Sequence, residues 1–287
     1  MENNNEDKRP ACNIRIAPKE GKRRYELRIG SMLQTPSLTE QADIDMEVTL
    51  CCSLGHAEGV VYTICFSRPR FNGMAEYNKE QWIYTKIFDI HRNLVLRVDK
   101  AGRIKEVLNR EAILEAWMKV RRDLSASAFG RDTGLLHKIA AFEAKLRTDL
   151  EAVYRHDLFF QWLCNDMYGT YKNAGASRTT GKQIGGFIGA TDITIAEEKQ
   201  VLLAEENKIL IEVSGSLVSG ETDLNKLNHA LFLQVGATGS QELLFSYSGH
   251  YLFADRSGFF DQTTLSVGAV VDRIYNRRLI YSLNAII

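Results

Sequence analysis

Few residues in this chain of 287 have the types and the spacing that catalysis or cofactor binding requires. Gly181-Lys182 resembles the end of a phosphate-binding loop. However, five residues separate Gly175 from Gly181, which is too many for the motif, and Gln183 stands where Ser or Thr is needed. Gly185-Gly186 fails the dinucleotide-binding pattern in the same way. These glycines therefore predict a flexible loop, not a nucleotide site.

The histidines and cysteines give no stronger signal. None of the six histidines pairs with another at a metal-ligand spacing. The odd number of cysteines and the lack of a C-x-x-C pair argue against a disulfide framework and against a zinc site. Cys164 lies in an apolar helical stretch without a neighbouring base, which favours packing over nucleophilic chemistry. The sequence therefore predicts no catalytic residue, no metal and no cofactor.

A dense group of aromatic residues is the remaining candidate for a site. It could line a pocket for an apolar ligand or form a surface for a partner. The alternative, which we favour, is core packing, because aromatic side chains dominate the burial of apolar area in any fold. The residues of this candidate surface are Phe159, Phe160, Trp162, Tyr168 and Tyr171.

Composition excludes several functions. Lys and Arg number 36, as do Asp and Glu, and this balance argues against nucleic acid as the partner because phosphate binding favours a basic excess. No apolar run is long enough to span a membrane, so we expect no membrane span. The N-terminus lacks the apolar core of a signal peptide, and the cysteines suggest a reduced protein. We therefore expect a cytoplasmic location.

The helical part of the chain is residues 109–171. Apolar residues at helical spacing predict a first helix with one buried face, formed by Ile113, Trp117, Val120 and Leu124. A second helix of about 20 residues is expected from Asp132 onwards. The third piece, residues 157–168, is apolar nearly all round, which predicts that it is buried against the concave face of a sheet.

β-rich sequence lies on both sides of this helical insert. The clearest strand has apolar residues in strict alternation with acidic or polar ones, namely Ile44, Met46, Val48 and Leu50. Residues 34–42 predict a loop, and Trp82 to Ile90 and Leu231 to Val235 predict further strands. Asp99-Lys-Ala-Gly102 has the chemistry of a hairpin turn with a bulge between antiparallel strands.

The end of the chain resembles a known kind of sheet. Residues 241–287, with Tyr247 to Phe260 followed by long alternating strands, are similar to the closing meander of lipocalin-like and lipoprotein-carrier half-barrel families. The resemblance implies a curved antiparallel sheet that wraps helices or an apolar ligand. It assigns no functional residue.

These patterns predict an α+β fold. We expect a flexible N-terminal lead over residues 1–22 and a single domain over residues 23–287. In that domain a large curved antiparallel sheet, half-barrel or barrel-like, is built from two arms, residues 23–108 and 182–287. The helical insert, residues 109–171, packs in or across the concave side, since a sheet must bury one face.

Three functions are compatible with these observations. The first is a non-enzymatic protein-interaction module that binds another protein, such as an adaptor, assembly, structural or immunity-type protein, including a part of a bacterial secretion or injection apparatus. The second is a carrier of a small apolar molecule in a half-barrel cavity. The third is a hydrolase with a dispersed active site.

Overall fold

The structure, a computed structural model, contains one large sheet with helices packed against it. It describes residues 13–55, 59–72, 79–127, 133–164, 166–172, 177–189, 191–205, 208–235, 243–253 and 258–286. The strands are β1 (Asn13–Ile16), β2 (Gly21–Thr35), β3 (Leu38–Leu54), β4 (Val60–Phe66), β5 (Arg70–Asn72), β6 (Asn93–Val98), β7 (Ile104–Val107), β8 (Gly169–Lys172), β9 (Ser177–Ile188), β10 (Thr191–Glu205), β11 (Lys208–Leu217), β12 (Leu244–Phe253), β13 (Gln262–Val271) and β14 (Tyr275–Ala285). The helices are α1 (Lys79–Phe88), α2 (Arg110–Ala126), α3 (Thr133–Thr148), α4 (Leu150–His156), α5 (Leu158–Leu163) and α6 (Leu224–Val235), with a 3-10 turn at Asp89–His91.

The main sheet has 12 antiparallel strands in the order β7-β6-β4-β3-β2-β14-β13-β12-β11-β10-β9, with β5 beside β3. Strands from both arms therefore form one sheet, and they join where β2 pairs with β14. The sheet is not closed, and β7 and β9 are its two edges. The predicted α+β fold with a large curved antiparallel sheet is confirmed.

Strands β2 and β3, beside the join, form because apolar and polar residues alternate strictly along them. In β3, Ile44, Met46, Val48 and Leu50 are all buried, while the residues between them are more exposed. The same alternation continues in β2, which runs antiparallel to β3 over its whole length, from Gly21 opposite Cys52 to Thr35 opposite Leu38. The expected loop over residues 34–42 is wrong, because a tight turn at Pro36-Ser37 joins these two long strands.

A second, two-stranded sheet pairs β1 with β8. Strand β1 lies inside the segment that the sequence predicts as a flexible lead, residues 1–22. Ile14 and Ile16 are buried in the core, and burial of two Ile side chains gives this short strand a reason to be ordered. The start of the lead, residues 1–12, lies outside the described residues.

The buried face of the sheet is covered by the end of the helical insert. All of α5 except Gln161 is buried, as its all-round apolar sequence predicts. The Trp162 ring stacks on Tyr281 of β14 at a centroid distance of 5.5 Å, and its Nε1 donates to Thr263 Oγ1 of β13 at 3.0 Å. This segment therefore packs against the sheet, as predicted, and its place on the concave face stays a prediction.

The other helices of the insert follow the prediction in part. The buried face of α2 consists of Ile113, Trp117, Val120 and Leu124, as expected. The long second helix is interrupted at Asp149, whose side chain accepts from Ala152 N and begins α4. Asn109 precedes α2 but does not cap it. Its side chain instead bonds the backbone of β6, with Val95 N donating to Oδ1 at 2.9 Å.

Two predicted strands are helices. Trp82 to Ile90 forms α1 and the 3-10 turn, and Leu231 to Val235 is the end of α6. In α1 the residues buried toward the core are Gln81 and Thr85, which are one helical turn apart. In α6 they are Leu227 and Leu231, with the same spacing. A short apolar stretch fits the period of a strand as well as that of a helix, and tertiary packing decided which of the two formed here.

The second arm also begins earlier than predicted. The glycines at positions 181, 185 and 186 are expected in a flexible loop, but residues 177–188 form the edge strand β9, so this expectation is wrong. The hairpin at Asp99 to Gly102 is confirmed: Asp99 Oδ1 accepts from Ala101 N and Arg103 N at 2.9 Å, and Gly102 has a φ of 97°. Asp255-Arg-Ser-Gly258 has the same spacing of Asp and Gly as this hairpin turn, but it lies largely outside the described residues. None of the described helices combines the length and the hydropathy that crossing a bilayer requires.

One close approach between strands gives a test of the sheet. A Cβ added to Gly249 of β12 would lie 2.3 Å from the Thr264 carbonyl oxygen of β13, which is far inside contact distance. We predict that Gly249→Ala lowers the free energy of unfolding by roughly 1–3 kcal/mol, the usual cost of overpacking. Urea unfolding followed by tryptophan fluorescence measures it.

The matched control is Gly181→Ala in β9, where an added Cβ meets nothing within 4 Å. We expect this substitution to change stability by less than about 0.5 kcal/mol. Equal losses in the two variants would contradict the predicted close packing of β12 on β13.

Candidate ligand-binding cleft

A cleft of about 580 Å³ lies along the seam where the sheet fails to close. One wall is the edge beside β7, with Arg103 and Ile104. The opposite wall is the edge strand β9, over residues 180–183. The floor is formed by the end of α4, by α5 and by the turn after it, through Arg155, His156, Phe160, Gln161, Cys164 and Asp166. The cleft therefore exists because two strand edges face each other without pairing.

Helices α4 and α5 bridge the two edges. Helix α4 contacts both β7 and β9. Its Glu151 accepts from Val107 N of β7 at 3.4 Å and pairs with Arg110 at 3.0 Å. On the other edge, Gln161 Nε2 of α5 donates to the Gln183 carbonyl of β9. Polar side chains thus satisfy backbone groups that a closed sheet would pair with a neighbouring strand.

Asp166 ties the two walls together at the bottom of the cleft. Its side chain is 5% exposed, and its two carboxylate oxygens are held by different arginines. Oδ2 lies 3.0 Å from Arg103 Nη2, on the β7 side, and Oδ1 lies 3.1 Å from Arg178 Nη2, on β9. The Asp166 carbonyl also accepts from Lys199 Nζ of β10 at 3.1 Å. Asp166 itself has a φ of 32°, in the left-handed region.

A second buried carboxylate lies behind the β9 wall. Glu197 of β10 is fully buried, and its Oε2 lies 2.9 Å from Lys182 Nζ while its Oε1 lies 3.1 Å from Lys199 Nζ. The Tyr247 hydroxyl of β12 donates to Oε2 at 2.7 Å. Glu197, Gly215 and Tyr247 stand in one row across three strands. A Cβ at Gly215 would lie 2.9 Å from Tyr247 Cδ1, so glycine leaves room for the ring to reach Glu197.

This environment shifts the pKa of both partners. Burial acts to raise the pKa of Glu197, but the charges of Lys182 and Lys199 and the hydrogen bonds to Lys182 and Tyr247 outweigh it and lower the pKa to about 2. Burial is also the main cause that lowers the pKa of Lys182 to about 8, with Glu197 opposing it and Lys199 adding to it. The Lys182 nitrogen itself is shielded from solvent. Only the rest of its side chain contributes to the cleft wall.

The five aromatic residues predicted as a ligand or partner surface are all buried. Phe159, Phe160 and Trp162 belong to α5, and Tyr171 belongs to β8. Tyr168 lies between them, where its hydroxyl donates to the Gly258 carbonyl at 3.1 Å and contacts the Tyr62 hydroxyl. Of the five, Phe160 lines the cleft. Whether any of them binds a ligand or partner stays a prediction.

The cleft also brings together residues that a hydrolase could use, namely His156, Cys164 and Asp166. Their environments do not favour that chemistry. Burial raises the pKa of the Cys164 thiol to about 12, so the nucleophilic thiolate is disfavoured. The Asp166 carboxylate, which would orient a base, is already held by two arginines. In the described ranges, no group of three His, Cys, Asp or Glu side chains is placed to hold a metal ion.

Sequence reasoning missed the charged residues of the seam. It assigned Lys182 to a flexible loop and did not single out Glu197, Lys199, Asp166 or Arg178. One signal was present in β10. Its buried apolar residues Ile193, Ile195 and Val201 alternate with period two, and this period places Glu197 and Lys199 on the same face. Two charges on an apolar face predict a buried ion pair.

Comparisons with known proteins place the chain in no family. No family model and no curated protein sequence matches it. Among solved structures, a chain of lipovitellin, from a structure named "Lipid-protein interactions in lipovitellin", is similar, with a TM-score of 0.45 and 10% sequence identity. The match covers 94% of this chain and 25% of that chain, so this protein spans about a quarter of its length.

The pH dependence of stability tests the role of the buried Glu197 carboxylate. The lowered pKa of Glu197 means that its contribution to stability is present above pH 4.5 and is lost as pH falls toward 2. We predict that Glu197→Gln lowers the free energy of unfolding by roughly 3 kcal/mol near neutral pH, because two buried ammonium groups lose their carboxylate. The difference from the wild type should narrow as pH falls from about 5 to about 3. Urea unfolding across that range measures it.

A matched control uses an exposed pair on the same sheet. Arg97 and Glu106 lie 2.6 Å apart across β6 and β7, and both side chains are about half exposed. Glu106→Gln should therefore cost less than about 1 kcal/mol. If the loss in Glu197→Gln were as small, or did not change over the acidic range, the buried cluster would not contribute as described.

Proposed function

We propose that the protein is a non-enzymatic binding protein that holds a small molecule in the cleft along the open seam. The observation that supports it is the cleft itself. Its volume of about 580 Å³ falls in the range of small-molecule pockets, roughly 300–1,000 Å³. Its walls are strands and helices tied together by Asp166, Glu151 and Gln161, so the site is formed before a ligand arrives.

The lining also suits binding more than catalysis. Phe160 and Ile104 give an apolar surface, and Thr180, Gln161 and Gln183 give hydrogen-bonding groups around it. Ligand sites commonly combine an apolar lining with a few polar groups that fix orientation. Two of the groups with reactive chemistry are disfavoured for catalysis, since arginines bind Asp166 and burial raises the pKa of the Cys164 thiol.

A ligand in this cleft would lie in a different place from the one that the sequence suggested. The sequence suggested a cavity between the half-barrel and the aromatic residues 159–171. Those rings pack on one another and on the sheet, as in the contact between Phe159 and Tyr281 at 5.6 Å. The open cleft lies beside them, between the two sheet edges.

The protein-interaction module, our first hypothesis from the sequence, stays a prediction. The feature that would serve it is β9, which ends the sheet. The edge of a sheet can accept a further strand from a partner. Affinity capture with the full chain from its native host, followed by a search for a stoichiometric protein partner, is the experiment that bears on it.

A pair of neighbouring threonines tests the cleft. Thr180 lines it, whereas the neighbouring Thr179 does not line it and is exposed. We expect native mass spectrometry of freshly purified wild-type protein to show a bound small molecule. Thr180→Trp should lose that molecule, because the indole fills the cleft, and Thr179→Trp should keep it.

The unfolding temperature of each variant, measured without ligand, checks that both are folded. A wild-type protein that carries no small molecule and is not stabilised by a panel of amphipathic compounds would count against the proposal. Equal occupancy in the two tryptophan variants would place the ligand elsewhere.

A further inference from the structure

We propose that the ligand of the seam cleft is an amphipathic anion, with a carboxylate or phosphate group on a short apolar body. This inference rests on the proposed binding function and narrows it to a chemical class. It follows from the charges that line the cleft, from the state of its carboxylate and from the apolar character of its floor.

The cleft is lined by more cations than anions. Arg103 and Arg155 contribute positive charge to its lining, and Asp166 contributes the one carboxylate among the residues that line it. A cleft with an excess of one sign of charge concentrates field lines and attracts ligands of the opposite sign. A neutral apolar ligand would gain nothing from this arrangement, and a cationic ligand would be repelled.

The carboxylate of the lining does not offset the excess. Asp166 is almost completely buried, and each of its oxygens already accepts from an arginine. Its charge is therefore shared between Arg103 and Arg178, and this group of three carries a net positive charge. Arg103 remains about half exposed, so its guanidinium can bind a second oxyanion.

Arg155 lies on the floor side of the cleft and is also available. Its side chain is 48% exposed, and its ion pair with Asp149 is long, at 3.5 Å, with Asp149 57% exposed. Exposed pairs of this kind contribute little, so a ligand oxyanion can replace Asp149 at small cost. Two guanidinium groups thus border the cleft, and guanidinium binds carboxylate and phosphate through paired hydrogen bonds.

The ammonium group of Lys182 is not a direct contact for the ligand. Its nitrogen is shielded behind the wall and is paired with Glu197, so it makes no direct contact in the cleft. Because Lys182 and Lys199 both pair with Glu197, the wall behind the cleft adds no negative field. The direct contacts to the oxyanion are assigned to Arg103 and Arg155.

The apolar part of the ligand has a matching surface. Ile104, Phe160 and Cys164 line the cleft and belong to the hydrophobic core, with at most 6% of each exposed. The Cys164 thiol is neutral at physiological pH because burial raises its pKa. A hydrocarbon chain on this floor would place its charged end at Arg103 and Arg155, which border the cleft.

Isothermal titration of the full chain tests the proposal with a set of matched probes. They are decanoate, decyl phosphate, decanol, decyltrimethylammonium and inorganic phosphate. We expect one or both amphipathic anions to bind at least about tenfold more tightly than decanol, the gain typical of a hydrogen-bonded charge. Their relative affinities separate a carboxylate ligand from a phosphate ligand. Decyltrimethylammonium and inorganic phosphate should bind more weakly than the amphipathic anion that binds most tightly.

A matched pair of arginine variants locates the charge. Arg155→Gln should weaken the anion several-fold and leave the affinity for decanol unchanged. Arg147→Gln is the control, because Arg147 lies on α3, pairs with Glu143 at 3.0 Å and does not line the cleft. It should bind as the wild type does. An unchanged affinity in Arg155→Gln would overturn the assignment of the site.

The outcomes separate this inference from the function on which it rests. If decanol binds as tightly as decanoate and decyl phosphate, the anionic class is wrong and a cleft for apolar molecules remains. If inorganic phosphate binds as tightly as decyl phosphate, the proposal that the ligand has an apolar body is wrong. If no probe binds while the wild type carries a neutral molecule lost in Thr180→Trp, the inference fails and the binding function stands. If no probe binds and the wild-type protein carries no small molecule, both the anionic-ligand inference and the proposed binding function fail.

Discussion

A curved sheet that stops short of closing has to satisfy two strand edges, and this constraint organises the whole molecule. In this protein one short stretch, from α4 to Asp166, meets both edges. Glu151 bonds the backbone of β7, Gln161 bonds the backbone of β9, and Asp166 pairs with an arginine from each side. Side chains span a gap wider than a strand pairing, so they leave a cleft. The bridged seam and the candidate site are therefore one feature.

The same constraint explains why charges lie inside the sheet. Buried ions are costly unless they are paired and hydrogen-bonded, and here each of two carboxylates is held by two cations. The Glu197 cluster extends this polar region under the β9 wall, and Gly215 makes room for the tyrosine that completes it. The polar half of the interior thus lies at the seam. The aromatic half, around Trp162 and Tyr281, fills the middle of the sheet.

Some elements could be predicted because their patterns are long. The period-two alternation of β3 and the helical face of α2 each extend over enough residues to exclude the other period. Helix α5 had to be buried because it is apolar all round. The helices α1 and α6 could not be predicted from their patterns, because their apolar stretches are short and fit the period of a strand or of a helix. Strand β9 carries glycine and threonine where a strand usually carries apolar residues, and its pairing with β10 decided its conformation.

By itself, the sequence determined the α+β class, the two β-rich arms and the burial of α5, because local periodicity and burial of apolar area need no knowledge of distant residues. Only the tertiary structure decided the candidate site. Arg103, Asp166 and Arg178 come from three different parts of the fold, and Glu197 meets Tyr247 from 50 residues away. No spacing rule joins such residues. They meet because the open sheet brings its two edges face to face, and this long-range geometry is set by how all the strands pair.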